Sequence, residues 1–230
     1  MDAFIEFCQS WTMGGIAARL FLATLAGVII GMDREYKNKG AGIKTHALVC
    51  IGAALSMIVN EFILRTFPSS NTDLARMGAQ VISGIGFLGV GTIIVTGRNE
   101  VKGLTTAAGL LVCAGIGLAA GIGFIKGTIL ALLFVIFILR VLEPMDKKLR
   151  ARSREFDLYV EFKDLASIHQ VIAELRDKGV KVYNFSIYKR RESVMSPAAT
   201  LTVKVPHHGE HELFIQKIRH IEGIIYAEEI

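Results

Sequence analysis

Between residues 14 and 142 long apolar runs are separated by short polar breaks, and beyond about residue 145 the pattern changes to short alternating segments. Residues 14–31, 47–59, 77–95, 104–125 and 127–139 together hold one charged residue, Arg19, with Lys126 standing between the last two runs. A helix needs about 20 mostly apolar residues to cross a bilayer. The pattern therefore predicts a membrane all-α bundle of five transmembrane helices, at about 14–33, 43–64, 74–95, 104–123 and 124–142.

The second half reads differently. Residues 156–162, 180–189, 199–205 and 224–228 alternate as strands, the second with one slip in its alternation. Residues 165–178 and 210–221 place Ile168, Val171, Ile172 and Leu175, and then Leu213, Phe214, Ile218 and Ile221, on single helical faces. The order β-α-β-β-α-β is that of the split ferredoxin-like unit and resembles an ACT-type regulatory domain. The chain thus divides into a membrane domain over 1–145, a basic linker over 146–154 and a small α+β domain over 155–230. A core of about 75 residues is marginal alone, so pairing with a second copy is expected.

Charge fixes the expected orientation. Lys and Arg fall in the breaks at Arg34, Lys37 and Lys39, at Arg98 and Lys102, and at Lys147, Lys148, Arg150, Arg152 and Arg154. The other side has little beyond Arg65, Arg76 and Lys126. Short basic loops stay cytoplasmic, so the N-terminus is expected outside and the C-terminal domain inside. The segment before the first run carries Asp2 and Glu6 and no Lys or Arg, the reverse of a signal peptide. These loops also account for the net charge of +5, so nucleic acid is not an expected partner. The bilayer is, and the basic run at 147–154 suits anionic headgroups.

"GIGFLGVG" (84–91) contains a literal G-x-G-x-x-G at Gly84, Gly86 and Gly89. A dinucleotide fingerprint needs a preceding strand and an acidic residue about 20 positions on. Here the apolar run is already under way at Met77, and the nearest acid, Glu100, comes too early. Small residues four apart mark close helix contacts in membranes, and Ala23, Gly27 and Gly31, like Gly117 and Gly121, have that spacing. Gly84, Gly86, Gly89 and Gly91 are read the same way, with a locally broken helix beside a cavity as the alternative.

The stretches "AGVIIGMDREYKNKGAGIKTHALVCIGAAL" (26–55), "DLARMGAQVISGIGFLGVGTII" (73–94) and "VKGLTTAAGLLVCAGIGLAAGIG" (101–123) resemble the MgtC/SapB family of bacterial inner-membrane proteins. The resemblance covers most of residues 15–125. It implies a role in growth at low magnesium, a link to survival of pathogens in macrophages, and in some members restraint of the proton-driven ATP synthase. The family often carries the label of magnesium transporter. This chain departs from the family pattern at Leu111, where an aromatic residue is common, and at Thr105, where some members have Asn.

Ionisable groups within a bilayer are functional candidates. One expected cluster, at the outer side, is Arg19, Glu61, Asp73, Arg76, Gln80 and Ser83, with Arg76, Gln80 and Ser83 sharing a helix face. The other, at the cytoplasmic edge and running through the family motif, is Asp33, Arg34, Glu35, Thr45, His46, Thr105 and Thr106, with Arg98 and Lys102 nearby. The plainer alternatives are arginines that snorkel to the interface and a solvated helix end.

Magnesium takes octahedral oxygen ligands, one or two of them carboxylates. Asp33 and Glu35 are two apart and point to different sides of a helix, so no cofactor is expected and magnesium lacks a ligand cluster. Cys8, Cys50 and Cys113 have no metal or disulfide spacing. His207, His208 and His211 are read as a solvent loop. No enzymatic constellation is present. Two functions remain: ion homeostasis or transport, with the Arg76 face lining a path, or regulation of another membrane complex through the small-residue faces.

Overall fold

The structure, a computed structural model, describes residues 2–68, 73, 75–95, 101–188, 197–205 and 211–230. Two compact units make up the chain, Met1–Val141 and Leu142–Ile230.

In the first unit a short α1 (Asp2–Gln9) precedes α2 (Met13–Tyr36) and α3 (Ile43–Thr66). Thr12 caps α2 by accepting the Gly15 N–H at 3.1 Å. Gly42 begins α3 with no side chain of its own to cap it, and the Glu35 carboxylate accepts the Ile43 N–H at 2.8 Å instead. Then come α4 (Arg76–Val90), a two-residue hairpin of β1 (Ile94–Val95) and β2 (Val101–Lys102), α5 (Leu104–Gly121) and α6 (Ile125–Phe137). A π-helical turn, Ile138–Leu142, carries α6 into α7 (Glu143–Ala151).

Among the described residues, four helical segments are long and apolar enough to cross a membrane: α2, α3, α5 and the run Ile125–Asp146. The segment expected to span at 74–95 differs. Its helix has 15 residues, about 22 Å at 1.5 Å per residue, against a hydrocarbon core of about 30 Å. The β-branched run Thr92, Ile93, Ile94, Val95 favours extended backbone, and the Thr92 hydroxyl ends the helix by donating to Gly89 O at 2.8 Å. Gly103, between β2 and α5, adopts φ +97°, and a Cβ there would overlap the Thr92 carbonyl, so only glycine lets the two segments approach.

Packing in this unit rests on α3, which lies between α2 and α5. A Cβ on Gly27 would come within 2.6 Å of Ala47, and one on Gly31 within 2.5 Å of Ile43. On the other side of α3, Gly117 abuts the Cys50 carbonyl and Gly121 the Ala54 carbonyl. The intervening core is small: Ala23, Ala26, Cys50, Ala54, Cys113 and Ala120 are fully or almost fully buried. The Cys50 thiol donates to Cys113 O at 3.1 Å. Gly89 of α4 makes ordinary contact with Ala107. The glycines expected to pack at 84 and 86 meet no described residue, since nothing among these lies within 4 Å of a Cβ at either. Gly91 meets only carbonyls of its own helix, those of Leu88 and Phe87.

The second unit begins with α7 and continues as a four-stranded sheet with two further helices: β3 (Glu155–Phe162), α8 (Leu165–Asp177), β4 (Lys181–Tyr188), β5 (Ala198–Lys204), α9 (His211–Arg219) and β6 (Ile224–Glu229). The strand order is β4-β5-β3-β6, with every neighbouring pair antiparallel. Leu158, Val160 and Phe162 of β3 and Leu201 and Val203 of β5 face Ile168, Val171, Leu175 and Ile218 of the helices. The slip in the β4 alternation is a bulge: register shifts between Tyr183 and Ser186, and Asn184 takes φ 47°.

Two outcomes follow from this packing. Gly117→Leu should drive α3 and α5 apart and lower stability by about 3 kcal/mol, the upper range for overpacking, read as a lower melting temperature in detergent. In the second unit, the Ser167 N–H and hydroxyl hold the Asp164 carboxyl below its ordinary range. A lowered folded-state pKa stabilises above the unfolded value and is lost as pH falls through the folded one. Asp164→Ala should therefore lower the melting temperature at neutral pH and leave it unchanged well below pH 3.8.

Candidate functional site

Six residues were expected to form one outer polar site; the structure divides them. Arg19 is 1% exposed. Its guanidinium donates to the carbonyls of Cys8, of Gln9 at 2.9 Å and of Gly121 at 3.1 Å, and it pairs with Glu61 at 2.5 Å. Three of those acceptors are carbonyls at the C-terminal ends of α1 and α5, where a cation is favoured. The other Glu61 oxygen accepts from Arg65 at 2.7 and 2.9 Å, and Arg65 lies over the Trp11 ring, 5.0 Å from its centroid. Arg19 is a fork satisfied on every side, tying α1, α2, α3 and α5 together. It is not a snorkelling side chain.

Asp73, Arg76, Gln80 and Ser83 lie elsewhere. All four are exposed. Asp73 accepts the Ala75 N–H at 2.9 Å, while the side chains of Arg76, Gln80 and Ser83 hydrogen-bond to no described residue. Their spacing did put the three on one side of α4, but that is the side away from α3 and α5, which meet Gly78 and Gly89.

The cytoplasmic-edge motif converges more closely. Arg34, in the last turn of α2, is 3% exposed. Its Nη2 donates to the Thr106 hydroxyl in the first turn of α5 at 3.1 Å, and its Nε has no hydrogen-bond partner. His46 is fully buried, with Nδ1 3.0 Å from Gly42 O. A carbonyl only accepts, so Nδ1 carries the hydrogen and Nε2 presents a lone pair. That nitrogen too has no hydrogen-bond partner, and it lies 3.6 Å from where a Cβ on Gly109 would sit. Two buried polar atoms of opposite character, one donor and one acceptor, thus stand open among α2, α3 and α5.

Both Asp33 oxygens lie 2.9 Å from a cation, Oδ2 from Lys37 and Oδ1 from Arg140, although Oδ2 makes no hydrogen bond. Lys37 also donates to Leu139 O at 2.8 Å, within the π-helical turn, whose altered hydrogen bonding leaves carbonyls for other donors. Thr45 and Thr105 are exposed and stand outside this cluster. Thr45 instead lines an open groove of about 530 Å³ with Glu35, Lys39 and Lys44. The parts that sequence reasoning missed are Lys37, Arg140 and the helix-end carbonyls. Arg140, charged near the end of an apolar run, was the one available signal.

Arg98, His207 and His208 lie outside the described residues. His211 is engaged at both ring nitrogens, by Glu229 at 3.1 Å and Ser153 O at 2.7 Å, and stacks on Phe156. Among the described residues no group of three or more His, Cys, Asp or Glu could hold a metal ion.

Helices packed through small residues, long enough to span, and followed by a small sheet unit define a polytopic membrane protein with a C-terminal domain. The MgtC family model matches residues 20–148, and this chain belongs to that family. It is 30% identical over 216 residues to protein SapB of Bacillus subtilis, covering 91% of this chain and 93% of that protein. It is 46% identical over 92 residues to the Escherichia coli protein named "Putative magnesium transporter YhiD", covering 39% of this chain and 42% of that one. It is 44% identical over 88 residues to protein MgtC of Salmonella typhimurium, covering 38% and 35% of the two. No solved structure matches significantly.

Arg19→Met should cost roughly 3–5 kcal/mol, the range for breaking a buried pair, because it removes the shared donor from three carbonyls as well as from Glu61. Arg19→Lys should recover only part of that loss, since one ammonium cannot reproduce the fork. Melting of the purified protein at matched detergent concentration measures both.

Proposed function

We propose that this chain is a regulatory protein of the bacterial inner membrane that supports ion homeostasis when magnesium is scarce, acting on another membrane complex and conducting no ion itself. In this reading α4 with its following hairpin completes a fifth crossing. The N-terminus lies outside, the sheet unit is a cytoplasmic ACT-like domain that senses a ligand, and the protein performs no covalent chemistry. The proton-driven ATP synthase, which the family resemblance implies for some members, is the kind of complex it would restrain.

The observation that carries the reading is the state of the carboxylates. Asp33 is held by Lys37 and Arg140, Glu61 by Arg19 and Arg65, and Glu35 by the Ile43 N–H. Magnesium binds proteins through carboxylates and substrate oxygens while keeping several waters, and each of these groups already answers to a cation or a donor within the chain. The open polar atoms lie instead at Arg34 and His46, where a conformational contact could be set. Transport is the second reading. The name of the Escherichia coli relative favours it, as does the burial of polar groups among membrane helices.

Magnesium uptake into liposomes containing the full chain, followed with a trapped indicator, separates the two. The regulatory reading expects uptake no faster than in empty liposomes, from protein that restores growth at low magnesium in a strain lacking it. Saturable uptake that Arg34→Lys abolishes would overturn that reading and establish transport. Arg34→Lys is expected to fail in complementation at matched abundance, because lysine cannot reach Thr106 and also leave a second donor at the Nε position.

A further inference from the structure

We propose that the outward face of α4 is the surface through which two copies of this chain pair within the membrane. The inward side of α4 meets the rest of the chain at Gly78, near Met57 and Leu118, and at Gly89, near Ala107. The opposite side exposes Arg76, Ala79, Gln80, Ser83 and Gly86. That side turns apolar only in its last turn, at Phe87 and Val90, whereas α6 exposes an apolar side along its length at Leu130, Leu133, Phe134 and Phe137.

Two independent features mark the α4 face. The first is chemical. The Gln80 amide and the Ser83 hydroxyl sit about 6 and 10 Å along the helix from Arg76, at 1.5 Å per residue, and hydrogen-bond to no described residue. Hydrocarbon offers them no partner, and such groups in membrane helices bond across to another helix. The second is steric. Ala79, Ser83 and Gly86 follow one another at intervals of four and three on one side of the helix, and a Cβ on Gly86 would meet nothing within 4 Å among the described residues. The space at Gly86 is open for a neighbouring backbone that the described residues do not provide.

The occupant is a second copy because the face is its own complement. An amide and a hydroxyl each donate and accept, so Gln80 can pair with Gln80 and Ser83 with Ser83 across a two-fold axis along the membrane normal. Such an axis makes the same patch serve both subunits. It also sets exposed Asp73 of one copy near exposed Arg76 of the other. The interface does not depend on whether the protein transports or regulates, but it rests on the reading that α4 lies in the bilayer as part of a fifth crossing.

The test uses full-length protein, fluorescently labelled and counted by single-molecule photobleaching in liposomes over a range of protein-to-lipid ratios. Wild type is expected to be dimeric at the higher ratios. Gln80→Leu and Gly86→Leu should each weaken pairing by about tenfold, the effect of losing one interhelical polar or close contact, while the melting temperature of the monomer in detergent holds. Leu133→Ala should pair as wild type does. Oxidation should cross-link Ser83→Cys into a dimer and leave Leu133→Cys monomeric; the native Cys8, Cys50 and Cys113 are fully buried. A chain monomeric at every ratio would overturn the proposal. So would α4 variants that pair like wild type, or cross-linking through Leu133→Cys and not Ser83→Cys. Should Gly86→Leu fail to fold, Gln80→Leu and Ser83→Cys decide the matter.

Discussion

Everything polar in the helical unit depends on how closely α3 is held between its neighbours. In lipid the hydrophobic effect gives helices little reason to associate, so van der Waals contact and hydrogen bonding carry the association. Gly27 and Gly31 on one side and Gly117 and Gly121 on the other bring the α2 and α5 backbones onto α3 with no side chain between. That closeness is what lets one guanidinium on α2 touch a carboxylate on α3 and a carbonyl ending α5 at once. At the opposite end it brings Arg34 of α2 within reach of the Thr106 hydroxyl.

The two arginine clusters use similar chemistry with opposite electrostatics. Arg19 meets the C-terminal carbonyls of two helices, where the helix dipole is negative. Arg34 meets the first turn of α5, where it is positive, and among the described residues no carboxylate lies at hydrogen-bonding distance. One of its donors lacks a partner, and the neighbouring His46 has an unused acceptor. Buried polar atoms without partners are rare and costly. The Arg19 cluster therefore behaves as a lock, with every group answered. The Arg34 cluster is the place where a small rearrangement or a bound group would gain the most, which moves the functional expectation from the outer side to the cytoplasmic edge.

How far the sequence speaks differs between these features. Period and run length placed most helices and strands to within a few residues, because apolar periodicity reports burial directly. The small-residue spacings at Gly27, Gly31, Gly117 and Gly121 coincide with the tightest backbone contacts for the same reason: spacing of four fixes a helix face. At Gly84 and Gly86 no described residue answers the expected contact, since spacing identifies a contact face but not whether the partner belongs to the same chain. The same logic misled at Arg76. Shared depth with Arg19 says nothing about rotation about the helix axis, and α4 turns that side outward. The carbonyl acceptors of Arg19 leave no mark in a sequence, because every residue has a carbonyl.

Asp33 shows how a single buried carboxylate organises the end of the helical unit. Lys37 lies one turn beyond it on α2, and Arg140 approaches from the π-helical turn after α6. A π turn misaligns the ladder, and the Leu139 carbonyl finds its donor in Lys37. The aspartate and the turn thus hold each other in place: the turn aims Arg140 at Asp33, and Lys37, fixed by Asp33, supplies a hydrogen bond to the turn. The chain passes from the helical unit to the sheet unit at Leu142, the last residue of that turn. Just before that boundary, Arg140 is anchored in the helical bundle by the aspartate beside Arg34.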